Sequence, residues 1–147
     1  MLRLSKRIGI LITTFLFPAF VLAGQFKEVK DIEVHYSAFN STFLTPTVAK
    51  HYQLTRSGRS SLINISILDK SKLGKPATTA NVSGYAKNLI GQIKELNFQE
   101  IKEENAIYYI AEFSISNEER LTFYLDVDAG VIGSGKMQFQ QTFYVEE

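Results

Sequence analysis

The sequence predicts an all-β fold: a seven-stranded antiparallel β-sandwich of immunoglobulin-like character, with one short helix after the first strand. Three observations carry this prediction. Apolar and polar residues alternate at period two over segment after segment, the mark of strands that bury one face. Turn-forming clusters, at Glu103-Glu104-Asn105, at Asn117-Glu118-Glu119 and around Gly130, Gly133 and Gly135, interrupt those segments at short, fairly regular intervals. Finally, 147 residues with no Cys allow one domain whose core holds without covalent staples.

The first strand is predicted over residues 30–39, where Ile32, Val34, Tyr36 and Ala38 alternate with Glu33, His35 and Ser37. The helix follows because Thr45 is a capping residue, Pro46 suits the first helical position, and Val48, Ala49 and Tyr52 share a face. It is expected to cover an end of the sandwich. Residues 62–68, Leu62-Ile63-Asn64-Ile65-Ser66-Ile67-Leu68, give the second strand, and residues 70–76 read as a basic loop. The stretch 82–96 is ambiguous, since Val82, Tyr85, Ala86, Leu89, Ile90, Ile93 and Leu96 also fit a helical stripe. Gly84 and Gly91 would each cost about 1 kcal/mol inside a helix, and Asn81, Ser83 and Asn88 weaken it further. The region is therefore predicted as a strand at 80–87, a turn at 88–91 and a strand at 92–101. Strands at 106–115, 121–127 and 137–143 complete the seven.

The first 23 residues differ from the rest. Arg3, Lys6 and Arg7 precede an apolar run from Ile8 to Leu22, and Val21-Leu22-Ala23 fits a signal-peptidase site. The run of 15 residues falls short of the roughly 20 that span a bilayer. We therefore expect a signal peptide at 1–23, cleaved after Ala23, and one domain at 24–147 without stable membrane insertion. That domain keeps 13 basic and 15 acidic residues, a balance with no footprint for nucleic acid or an anionic membrane face. Export without Cys points to a bacterial periplasm.

The motifs HYSAFNSTFLTP (35–46), VSGYAKNLIGQ (82–92), AIYYIAEFSIS (106–116) and FQQTFY (139–144) resemble a family of short exported proteobacterial proteins known as domain of unknown function 4426. The resemblance spans the whole domain. It implies a single periplasmic domain, and it brings no catalytic residue, cofactor or substrate to carry over.

The residues themselves limit the chemistry. His35 and His51 are the only imidazoles, on different predicted elements, and Met137 could add a soft ligand for copper. A metal site needs three or four convergent ligands, so no metal or cofactor is expected. Asp126-Val127-Asp128 resembles the start of a calcium loop, but Gly130, Val131 and Met137 stand where that loop needs other residues. Gly133-Ser134-Gly135 lacks the spacing of a nucleophile elbow. The pairs Glu103/Glu104 and Glu118/Glu119 fall in turns, where solvated charge is expected. Strand alternation must turn one ring of Tyr108-Tyr109 inward and the other outward.

The least ordinary stretch is Phe39, Asn40, Ser41, Thr42 and Phe43, where aromatics interleave with hydrogen-bonding residues between a strand and a helix; it is the candidate interaction surface. The expected function is a non-catalytic binding or accessory module of the cell envelope, acting on an envelope protein or ligand. Two alternatives stay open: a small-ligand or metal carrier using His35 or His51, and a small hydrolase built on one of them with a distant Ser.

Overall fold

The computed structural model describes residues 25–147; the expected leader and its cleavage site lie outside them. Two antiparallel sheets face each other. The first has the order β1 (Phe26–Val29), β2 (Ile32–Asn40), β3 (Ser60–Asp69), β7 (Ala106–Ser114), β6 (Gln99–Glu103). The second has the order β5 (Ile93–Glu95), β4 (Asn81–Asn88), β8 (Glu119–Asp128), β9 (Ser134–Phe143). The order β2-β3-β7-β6 against β4-β8-β9 reproduces the A-B-E-D and C-F-G sheets of an immunoglobulin domain, with β5 and β1 added as edges. The expected fold class therefore holds.

The strand count is nine rather than seven. Lys30 sits at φ 52°, a left-handed turn residue rather than part of a strand, and the hairpin it makes adds β1 to β2. The strand expected over 92–101 is two short strands in different sheets. Between them Leu96 is buried in the core and its N–H donates to the Gly84 carbonyl at 3.2 Å, so the chain crosses from one sheet to the other there. At Gly84 itself a Cβ would stand 2.2 Å from the Tyr124 carbonyl oxygen, so only glycine permits this approach of β4 to β8.

Inward parity fills the space between the sheets with Ile32, Val34, Ile63, Ile65, Ile67, Leu121, Leu125 and Val127. Its centre is aromatic: Phe123 stacks on Phe139 at 4.7 Å and meets Phe113 edge-on at 5.3 Å. Of the tyrosine pair, Tyr109 turns inward; its hydroxyl accepts from the Ala80 N–H at 2.9 Å and donates to Glu100 at 2.8 Å. Burial pushes the Tyr109 phenol above its ordinary pKa. This latch fixes the place where the chain enters β4.

The helix, α1 (Pro46–His51), begins as expected, with Thr45 Oγ1 accepting from the Val48 N–H at 3.2 Å and Pro46 in the first turn. It sits near one end of the sandwich but lies over the outer face of the five-stranded sheet, since Gln99 donates to the Tyr52 carbonyl and the Thr55 N–H donates to Glu112. Ala49, Leu62 and Ile101 are buried there, outside the core between the sheets.

Candidate functional site

Two ends of the sandwich differ in chemistry. At one end β2 and β9 begin and β3 and β8 finish, and charge dominates. Glu33 is the centre: its side chain is 6% exposed, its Oε1 accepts from Lys75 at 2.5 Å, and its Oε2 lies 3.0 Å from His35 Nε2. The Lys75 bond, then the His35 bond, hold the Glu33 carboxyl below its ordinary pKa against the pull of burial. The His35 ring also stacks on Phe26 at 5.1 Å. Nearby Asp69, likewise held low by its bond from the Ser71 hydroxyl, pairs with Lys72, and Lys70 pairs with Glu28. Leu73 and Val131 are exposed at this end as single side chains on separate loops.

The opposite end holds the predicted interaction segment. Phe39 is half-buried at the end of β2. Asn40 is buried; its amide donates to the Tyr144 carbonyl at 2.8 Å and its Oδ1 accepts from Ser61 at 3.0 Å. Ser41 is fully buried, exchanging bonds with Ser57 at 2.9 Å in both directions. Thr42 donates to Glu146. Of the five, Phe43 is the one classed among the exposed large apolar side chains, at 56%. Asn40 and Ser41 thus spend their polar atoms inside the protein, and Thr42 ties the loop to the C-terminal segment at the surface, fixing the loop that displays Phe43.

The same end carries a turn whose display the sequence reading left unused. Leu89 and Ile90 form the tip of the β4–β5 hairpin, and each is 80% exposed. The tip is rigidly built. Gln92 N–H donates to Asn88 Oδ1 at 2.9 Å, Gly91 N–H to the Asn88 carbonyl at 3.1 Å, and Gly91 takes φ 86°. Asn88 Nδ2 in turn donates to Glu119 at 3.1 Å. Glu119, expected as a solvated turn charge, is instead 8% exposed and accepts from Lys94 at 2.9 Å and from the Ser116 N–H at 2.8 Å. Burial works to raise its carboxyl, but Lys94, Ser116 and Asn88 outweigh it and hold the group below its ordinary value. Tyr144, 57% exposed just past β9, belongs to this end too. The turn at 88–91 was legible in the sequence, and exposure of Leu89 and Ile90 follows from that placement alone.

A third feature is the outer face of the four-stranded sheet. Tyr85 and Tyr124, directly paired across β4 and β8, stack at 5.0 Å beside a shallow cleft of about 620 Å³ bounded by Asp126, Lys136 and Gln138, with Lys27 at its rim.

The two histidines are not brought together. His35 lies on β2, and His51 ends α1, its ring edge-on to Tyr52 at 4.7 Å. Met137 is buried in the core. Among the described residues no three His, Cys, Asp or Glu side chains converge to hold a metal, and no hydroxyl hydrogen-bonds to either imidazole. Among the described residues, too, no helix is long and apolar enough to cross a membrane.

Comparison with known proteins identifies relatives of the whole domain. The sequence model of the family described as Domain of unknown function (DUF4426) matches residues 26–146. A DUF4426 family protein from Pseudomonas aeruginosa PAO1, known as a crystal structure, is 35% identical, superposes with a TM-score of 0.75, and pairs 87% of this chain with 100% of its own. Two structures of FetP from uropathogenic Escherichia coli strain F11 share the fold at a TM-score of 0.55. One is a copper-bound variant, 12% identical over 84% of this chain and 97% of that one. The other is the protein as isolated after recombinant expression in the periplasm, 11% identical over 84% and 95%. No curated protein matches the chain.

Proposed function

The chain belongs to the DUF4426 family, a domain of unknown function, and from that premise we propose that it works as a non-catalytic binding module of the periplasm whose contact surface is the end bearing Phe43, Leu89, Ile90 and Tyr144. The leader pattern supports the compartment, and FetP, expressed in the periplasm, is a fold relative from it. One observation carries the choice of surface: two adjacent large aliphatic side chains stand four-fifths exposed on a turn that hydrogen bonds hold in a single shape. Scattered exposed apolar residues need no explanation, but an adjacent pair on a rigid support marks a contact site. A photo-crosslinking amino acid at position 90 should give defined adducts in cells, while the same probe at Leu73, equally open at the charged end, should give none. Adducts from Leu73 alone would reverse the assignment.

The carrier reading is the second one, prompted by the copper-bound FetP relative. It is weaker here because the Lys75 ammonium already occupies the carboxylate that His35 shares, and its charge repels a cation. A metal that binds only the folded protein adds about 2.7 kcal/mol at 100 times its dissociation constant. Copper should leave the melting temperature unchanged; a rise that His35→Ala abolishes would favour the carrier.

A further inference from the structure

Beyond the apolar end, the geometry points to a second binding site: the cleft on the outer face of the four-stranded sheet takes a neutral glycan, with a sugar ring against Tyr124 and its hydroxyls held by Asp126, Lys136 and Gln138. At about 620 Å³ the cleft is of ligand size. Strand register builds it from two rows of outward side chains, Tyr85, Tyr124 and Gln138 in one and Ser83, Asp126 and Lys136 in the other. Lys27 reaches over from β1 and donates to the Lys136 carbonyl at 3.1 Å, closing one side.

The first row supplies a flat face. The Tyr85 and Tyr124 rings stack at 5.0 Å, about the spacing of neighbouring strands, with their planes 23° apart. Tyr85 thus covers the β4 side of Tyr124, and the other face of Tyr124 is turned toward β9 and the cleft. That face is electron-rich. The C–H groups on one side of a sugar ring, polarised by the oxygens they adjoin, are its complement.

The second row selects the charge of the ligand. Asp126 stands directly opposite Lys136, yet among the described residues they form no ion pair, and neither they nor the side chains of Ser83, Gln138 and the two tyrosines make a hydrogen bond. Elsewhere the chain spends such groups internally, as it does Glu33, Asp69 and Glu119. Asp126 only accepts and Lys136 only donates. An anion is repelled by the first and a cation by the second, whereas a hydroxyl both donates and accepts, so adjacent hydroxyls of one sugar satisfy the two together. A peptide cannot add to the sheet here, because β8 is already paired on both sides and only side chains face the cleft.

The test is titration of the isotope-labelled exported product, purified from the periplasm, with cellohexaose, maltohexaose and chitohexaose, followed by amide resonances. At least one should give saturable shifts at Gly84, Leu125 and Gln138 and none at Gly91 of the apolar end, with an affinity that holds in high salt, as a neutral ligand requires. Tyr124→Ala should weaken that binding by about tenfold, and Asp126→Ala and Gln138→Ala by about fivefold each. Leu73→Ala should bind as wild type does. The Asp126 and Gln138 positions are exposed and carry the test should Tyr124→Ala fail to fold. No saturable shift with any of the three oligosaccharides, shifts centred away from the cleft, or unchanged binding by the Asp126 and Gln138 variants overturns the glycan site. Shifts at the same amides from free glutamine, with none from the oligosaccharides, overturn it too, in favour of a zwitterionic ligand.

Discussion

The two ends of this sandwich are built from the same strands and stabilised in opposite ways. At the charged end, a carboxylate on the outer face of β2 draws a lysine from a loop 42 residues away and the histidine two residues on, and the exposed surface is a mesh of ion pairs. At the apolar end, the acid Glu119 is turned inward, bonded by Lys94, Asn88 and Ser116, and what faces outward is Leu89, Ile90, Phe43 and Tyr144. The difference teaches that polar residues at the apolar end are consumed as internal fasteners so that apolar ones can be displayed. Charge on the surface needs no such support, because water solvates it, whereas an exposed aliphatic pair keeps one shape only if its turn is held from behind.

The comparison can be broken at its fasteners. Asn40→Ala should have the largest effect, about 2–3 kcal/mol lost in urea unfolding, because it strands the Tyr144 carbonyl and the buried Ser61 hydroxyl together. Glu119→Gln should cost about 1–2 kcal/mol, since Lys94 and the Ser116 N–H lose a charged acceptor, and it should speed amide exchange at Gly91 and Gln92 as the turn loosens. Acid should act on both ends. Glu33, Asp69 and Glu119 have carboxyls held low in the folded protein, so each contributes stability that is complete above its unfolded value and fades as pH falls through the lowered one. Unfolding midpoints should therefore fall below about pH 4.5, and Glu33→Gln with Asp69→Asn should flatten that limb while lowering stability at neutral pH. The smallest effect belongs to Lys70→Ala, whose pair with a half-exposed Glu28 should be worth under about 0.5 kcal/mol and vanish in added salt.

Much of the scaffold was legible because period two is a direct consequence of strand geometry. Ile32, Val34, Ile63, Ile65, Phe123 and Leu125 point inward wherever their alternation said they should, and Thr45 and Pro46 announced the helix to the residue. The missed strands have local causes: β1 is four residues with three exposed, too short to alternate visibly, and Leu96 buries one side chain between two strands where the sequence shows one apolar run. The chemistry of the ends was less legible for a different reason. Parity assigns Glu33 to an outer face and turn composition assigns Glu119 to solvent, yet what buries them is Lys75 and Lys94, delivered by chain segments that no spacing rule links to them. Likewise Asn40 and Ser41 read as adaptable surface groups until Tyr144 and Ser57, far along the chain, are seen to claim them.

The claim that the apolar end is the working surface is tested most directly by fractionating cells that export wild type, a Leu89→Asp/Ile90→Asp double variant, or Leu73→Asp, and measuring the share that sediments with the envelope. The account predicts that the double variant moves to the soluble fraction with its melting temperature unchanged, because neither side chain contributes to the core, and that Leu73→Asp distributes as wild type does. A double variant that stays with the envelope, or a Leu73→Asp variant released just as fully, would contradict it.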